Sequence, residues 1–178
     1  MPSIIQGPKF NCSRVVQKLV GMVDIVPTIL DAAGSPILSS MQGKSALPLV
    51  DGNADEWRDE VFIQTVEFMV GRALRTERWT YVVGVAKQHS QKPSDPSEPY
   101  AQHTPDNLTG GSIPAPFSDH YAEYQLYDMY SDPHQLVNLA GRDGTIKIAE
   151  DLRQRLKLRM QEVGDKVAEI SQPFFLHS

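Results

Sequence analysis

Alternating apolar and polar positions mark four short extended segments in this 178-residue chain. They are "VFIQTVE" from Val61, "GRALRTE" from Gly71, "WTYVVGV" from Trp79 and "YQLYDMY" from Tyr124. Each is short, β-branched or aromatic, and bounded by turn-forming breaks, which is the composition of a strand. In the last of them Leu126, Asp128 and Tyr130 fall on one face and Tyr127 and Met129 on the other. That strand is expected to stop at Ser131, because Asp132-Pro133 favours a turn: the carboxylate accepts from backbone N–H groups ahead while proline fixes φ. The four segments predict a small antiparallel sheet of about four strands.

Helical spacing appears twice. Ala149, Leu152, Leu156, Met160 and Val163 make one apolar stripe, which predicts an amphipathic helix over 145–163, capped by Thr145 or Asp143 and stopped by Gly164. The stripe is expected to cover the small sheet, with Asp151 and Arg155 paired one turn apart and Arg153 off the packing face. Earlier, "MVDIVPTILDAAG" carries apolar residues at helical spacing. Asp24 is placed to cap this helix, Pro27 falls in its first turn, and Gly34 with Pro36 ends it. At the start of the chain "SIIQG" predicts a buried strand cut off by Gly7-Pro8, with no partner strand close in sequence. Residues 87–119, rich in proline and polar side chains, predict a long loop insertion.

Composition narrows the functional classes. A 40% hydrophobic content suffices for a globular core, and the net charge of −5 leaves no clustered basic face for nucleic acid. There is no apolar run of membrane-spanning length, and "MPSIIQGPKF" has neither the basic start nor the apolar middle of a secretory signal, so a soluble chain is expected and its compartment is left open. Cys12 is the single cysteine, which excludes an internal disulfide and a Cys-rich zinc site. Asn11-Cys12-Ser13 and Asn107-Leu108-Thr109 fit the N-glycosylation pattern. His89, His103, His120, His134 and His177 show no metal-ligand spacing.

The order of motifs resembles the C-terminal part of a sulfatase of the alkaline phosphatase superfamily. The resemblance runs through "PSIIQGP", "VDIVPTILDAAG", "MQGKSALPLV", "WRDEVFIQ", "GRALRTERWTYVV" and "LYDMYSDPHQLVNLA", in the family's order and over nearly all of the chain. It implies an α/β architecture, α+β in its C-terminal part. Residues 1–50 would be the end of an alkaline-phosphatase-like parallel-sheet domain. Residues 51–178 would be a small C-terminal subdomain, an antiparallel sheet packed by the final helix. It also implies that the last motif is structural. Asp128 then braces the turn, Leu126 and Leu139 pack, and Asn138 bonds to nearby backbone; the rival reading of Asp128 as a ligand or catalytic acid lacks a second carboxylate at suitable spacing.

In such enzymes a formylglycine hydrate, made from Cys or Ser in a C/S-x-P-x-R motif, attacks the sulfur of a sulfate ester. Calcium and basic groups stabilise the charged oxygens, and a histidine protonates the leaving group. This chain has no C/S-x-P-x-R and no Asp-Asp pair, so the resemblance implies that no catalytic or metal-binding residue lies in it. Calcium, formylglycine and a sulfated small molecule or saccharide belong to a complete parent protein. Ser118-Asp119-His120 imitates the family's Ser-Asp-His-Gly, but Tyr121 replaces the glycine and the order along the chain is wrong. Arg72, Arg75 and Arg78 are the candidate substrate contacts, since a guanidinium fork suits an oxyanion. On a strand 72 and 78 share a face that 75 does not, and the opposing reading is a solvated or ion-paired strand face. Two further readings stay open. One is a phosphonate or phosphate monoester hydrolase fragment of the same superfamily; the other is a non-catalytic interaction module. Self-association through an exposed N-terminal strand is also expected.

Overall fold

The computed structural model describes residues 4–7, 9–10, 13–52, 57–65, 70–85 and 118–173. The loop expected at 87–119 lies outside them up to residue 117, as do both glycosylation tripeptides in part or whole. The chain divides into two compact units, residues 1–61 and 62–178.

In the first unit a 3-10 turn, Met22–Asp24, leads into helix α1, Ile25–Ala32, and a short helix α2 follows at Leu47–Val50. Gly34 takes a positive φ of 72°, and the amide of Ser35 closes onto the Leu30 carbonyl at 2.8 Å. This is the left-handed helix stop that glycine permits at no steric cost. Asp24 precedes α1 but its side chain makes no cap bond to it. Its carboxylate instead accepts from the Gly21 and Lys44 amides, each at 2.8 Å, and from the Arg58 guanidinium at 2.8 Å.

A strand at "SIIQG" is not found: residues 4–6 are irregular, and Ile4 is 98% exposed. An inner parallel strand needs hydrogen-bonding neighbours on both edges, and no described strand borders this segment.

The sheet has five strands in the order β1-β2-β3-β4-β5: Glu60–Thr65, Gly71–Thr76, Trp79–Gly84, His120–Asp128 and Glu169–Ser171. The expectation of about four antiparallel strands is corrected by β5, which pairs parallel to β4. At three residues β5 is too short to show a periodicity. Tight pairing of β2 with β3 sets Leu74 opposite Tyr81 and Arg75 opposite Thr80. The β4 strand begins at His120, earlier than "YQLYDMY", and ends at Asp128 rather than running to Ser131. Its early end follows from Asp128 itself, whose carboxylate accepts from the Tyr130 amide at 3.1 Å and so starts the turn.

The long helix α3, Ile146–Glu162, packs Ala149, Leu152, Leu156 and Met160 into one core with Leu74, Tyr81, Val83, Tyr121 and Leu126. Gly164, with φ of 72°, follows its end. The helix bounds match the sequence to within a residue or two, but Val163 stays outside the core and the Thr145 hydroxyl donates to the Leu139 and Arg142 carbonyls instead of capping α3.

Candidate functional site

The three arginines of the sheet have different surroundings. The side chain of Arg72 points to the α3 side of the sheet and is 2% exposed. Its Nε donates to Asp165 Oδ2 at 2.5 Å and its Nη2 to Oδ1 at 3.1 Å, while Nη1 donates to the Gly71 carbonyl. The guanidinium also lies 5.7 Å from the centre of the Tyr121 ring. Hydrogen bonding to Asp165 raises the Arg72 pKa despite burial. Burial pushes the Asp165 carboxyl up, but bonds from Arg72 and Gln64 override it and hold Asp165 below the ordinary carboxylate range. This clamp ties β2 to the chain just after α3.

Arg78, in the turn between β2 and β3, grips Asp128 with Nε at 3.1 Å and Nη2 at 2.8 Å. Its cation also sits 4.8 Å from the Trp79 ring centre and 5.8 Å from that of Tyr130. The Arg78 bonds, with the Tyr130 amide, bring the Asp128 carboxyl down to about 2. A carboxylate so held stays ionised and poor in proton affinity, which suits a brace and not a general acid.

Arg75 points to the opposite side of the sheet from Arg72 and Leu74. Its Nη1 donates to the Thr80 hydroxyl at 2.5 Å. Partial burial lowers its pKa. A desolvated guanidinium with a neutral partner retains N–H capacity for an oxyanion, whereas the forks of Arg72 and Arg78 are each filled by a carboxylate.

Two polar clusters were not legible in the sequence. In the first, Tyr81 donates to Glu123 Oε1 at 2.9 Å, and Arg153 donates to the same oxygen with Nη2 at 2.6 Å and Nε at 3.2 Å. Burial and the Glu123 charge push the Tyr81 hydroxyl well above its ordinary pKa. A small pocket beside it is lined by Glu123, Ile146, Ala149, Arg153, Gln172 and Pro173. Arg153 therefore does not lie free of the packing face as its place off the stripe suggested; its fork folds back to a buried carboxylate. The second cluster is the Asp24 hub. The Thr28 hydroxyl donates to the Asp24 carbonyl at 2.6 Å and accepts from the Ala46 amide at 2.9 Å. A Cβ on Gly43 would lie 1.9 Å from the Val23 carbonyl oxygen, so only glycine fits there. Thus "VDIVPTILDAAG" and "MQGKSALPLV" are bonded to each other.

The Ser118-Asp119-His120 segment is the entry to β4. Ser118 Oγ bridges the His120 backbone, accepting from its amide and donating to its carbonyl. Asp119 pairs with Lys166, and the His120 ring lies 3.8 Å from Glu169 and 3.2 Å from the Ser171 hydroxyl. Among the described residues no three His, Cys, Asp or Glu side chains converge as metal ligands. Asn138 bonds to backbone as expected, but mostly across to β4 and only once locally. Its Oδ1 accepts from the Leu126 and Ala140 amides and its Nδ2 donates to the Tyr124 carbonyl.

Residues 1–89 match the family model described as N-sulphoglucosamine sulphohydrolase, C-terminal. The chain belongs to this sulfatase C-terminal family. It is 23% identical to arylsulfatase K of Canis lupus familiaris over 99% of its own length and 29% of that protein. It is 25% identical to the N-acetylglucosamine-6-O-sulfatase of Bacteroides thetaiotaomicron over 93% of its length and 25% of that protein. A solved structure of a protein in complex with its substrate D-glucosamine-2-N,6-O-disulfate shares the fold over 79% of this chain and 24% of that one, with a TM-score of 0.53 at 19% identity. The chain thus spans about a quarter of the length of such relatives. No described helix is long and apolar enough to cross a membrane. Complete sulfatases use a metal and a formylglycine; neither the C/S-x-P-x-R motif nor an Asp-Asp pair occurs in this sequence, and no ligand cluster is found among the described residues.

Proposed function

We propose that this chain is the C-terminal portion of a sulfatase-type sulfuric ester hydrolase, supplying a pocket wall and structural support for chemistry carried elsewhere in the protein. The observation that carries this reading is the match to relatives named as sulfatases over nearly the whole chain but only about a quarter of their length. Residues 1–50 would complete the large α/β domain and residues 51–178 the small subdomain. The substrate is a sulfated saccharide, a class supported by the disulfated glucosamine in the related structure. Of the three candidate arginines, Arg75 best fits a substrate contact, because Arg72 and Arg78 are each held by a carboxylate.

Catalysis by a sulfatase requires joint placement of nucleophile, cation and acid. The purified 178-residue chain is expected to release no phenol from a chromogenic aryl sulfate, with or without calcium. Grafted in place of the matching C-terminal region of the Bacteroides thetaiotaomicron sulfatase, it is expected to support turnover of a sulfated glucosamine. Turnover by the chain alone that disappears in Asp119→Ala or His120→Ala would reject the reading and make "SDHY" a true site.

A further inference from the structure

Glu123 has one oxygen fully engaged and one left open. A slip in β4 turns this residue toward α3: the register with β3 shifts at Val82 and Val83, so Tyr121 and Leu126, an odd number of positions apart, both face the core. Glu123 falls on the same side and is 3% exposed. Among the described residues, one bond from Tyr81 and two from Arg153 all end on its Oε1, and none reaches Oε2. A buried carboxylate oxygen without a donor is costly. The same carboxylate lines the small pocket framed by Ile146 and Ala149, in the first turn of α3, and by Gln172 and Pro173, after β5. Arg153 already offsets its charge, so the open oxygen calls for a neutral donor and not a second cation. The walls formed by Ile146, Ala149 and Pro173 are apolar. A lone water wants about two to four polar partners, whereas a methylene that carries a hydroxyl meets those walls with its carbon.

We propose that this pocket binds the hydroxymethyl group of a saccharide. The hydroxyl donates to Glu123 Oε2 while its carbon packs on Ile146, Ala149 and Pro173. The pocket lies on the α3 side of the sheet, so it is not the contact proposed at Arg75, which points to the opposite side from Leu74 and its partner Tyr81. That the hydroxymethyl belongs to a saccharide rests on the proposed sulfatase reading; that the pocket takes a hydroxymethyl rests on Glu123 and its walls alone.

Methyl NMR of the 178-residue chain, titrated with methyl α-glucoside, reads the pocket directly. The Ile146 and Ala149 methyls are expected to shift saturably, while those of Leu158, exposed elsewhere on α3, stay still. The 6-deoxy analogue keeps the ring but lacks the hydroxyl, and should bind about tenfold more weakly, the worth of one net hydrogen bond. Ile146→Trp, at the half-exposed mouth, should abolish the Ala149 shift with circular dichroism unchanged. Absence of any saturable shift would mean that the pocket holds water only and would overturn the site. Equal binding of the deoxy analogue, a comparison that needs no variant, would do the same, as would undiminished binding by folded Ile146→Trp. No sulfate enters this titration, so the sulfatase reading is scored apart from it. Shifts that follow the hydroxyl, together with a graft that turns over no sulfated glucosamine, keep the pocket and reject the function; turnover by the graft without such shifts does the reverse.

Discussion

Arg153, on the flank of α3, donates to the carboxylate of Glu123 on β4 at 2.6 Å, with Glu123 only 3% exposed on its side chain. The bond joins helix to sheet through a charge almost wholly shut off from bulk water, so it belongs to the core and not to the surface. Removing one partner of such a pair leaves the other buried and unpaired, which typically costs about 3 to 5 kcal/mol. Arg153→Ala is therefore expected to destabilise by an amount near the low end, since Tyr81 still donates to Glu123. Arg153→Ala with Glu123→Gln together should recover part of the loss. Urea unfolding of the single and double variants checks this; equal losses in both would reject the buried-charge account.

The face of α3 makes a separate prediction. Leu156 is wholly buried, and truncating a buried leucine costs ~2 to 5 kcal/mol through lost transfer energy and the cavity left behind. Leu156→Ala should clearly lower the melting temperature. Gln154, exposed on the same helix, should tolerate alanine to within about 0.5 kcal/mol. Calorimetry of both variants decides.

Acid sensitivity follows from Asp128. Its carboxyl is held at about 2 in the folded chain, below the ordinary 3.8, so the folded state favours the ionised form. The stability this supplies is present above about pH 4 and is lost as pH falls through the folded pKa near 2. Asp128→Asn should lower stability at neutral pH and flatten the loss between those limits. Denaturant midpoints measured across that range test the sign; an unchanged slope would reject it.

At Gly43 the expected effect is local. Because a Cβ there would meet the Val23 carbonyl at 1.9 Å, Gly43→Ala must push the loop off α1 and stretch the Lys44 and Ala46 bonds. Hydrogen exchange of the Lys44 and Ala46 amides should rise sharply, while the amides of β3 and β4 stay protected. Uniform loss of protection in both units would indicate global unfolding instead.

The pattern of apolar positions by itself located strands near Val61, Gly71 and Trp79, the amphipathic face of α3 and both glycine helix stops, because these depend on local period and backbone freedom. The order of motifs pointed to the family. Tertiary structure alone decided the rest. The SIIQG segment has the composition of a strand, yet a strand exists only when a neighbour supplies hydrogen bonds. Three residues paired parallel to β4 become β5 for the opposite reason, since the neighbour is there. The arginines show the same division: spacing placed 72, 75 and 78 near one another, but Asp165 and Asp128, 93 and 50 positions away from Arg72 and Arg78, determine which guanidinium forks are filled. Likewise helical spacing marks α1, but only the bonds of Asp24 and Thr28 to groups far along the chain bury its polar side. Period is a property of neighbouring residues; pairing of charges and covering of faces depend on chain brought together from far away.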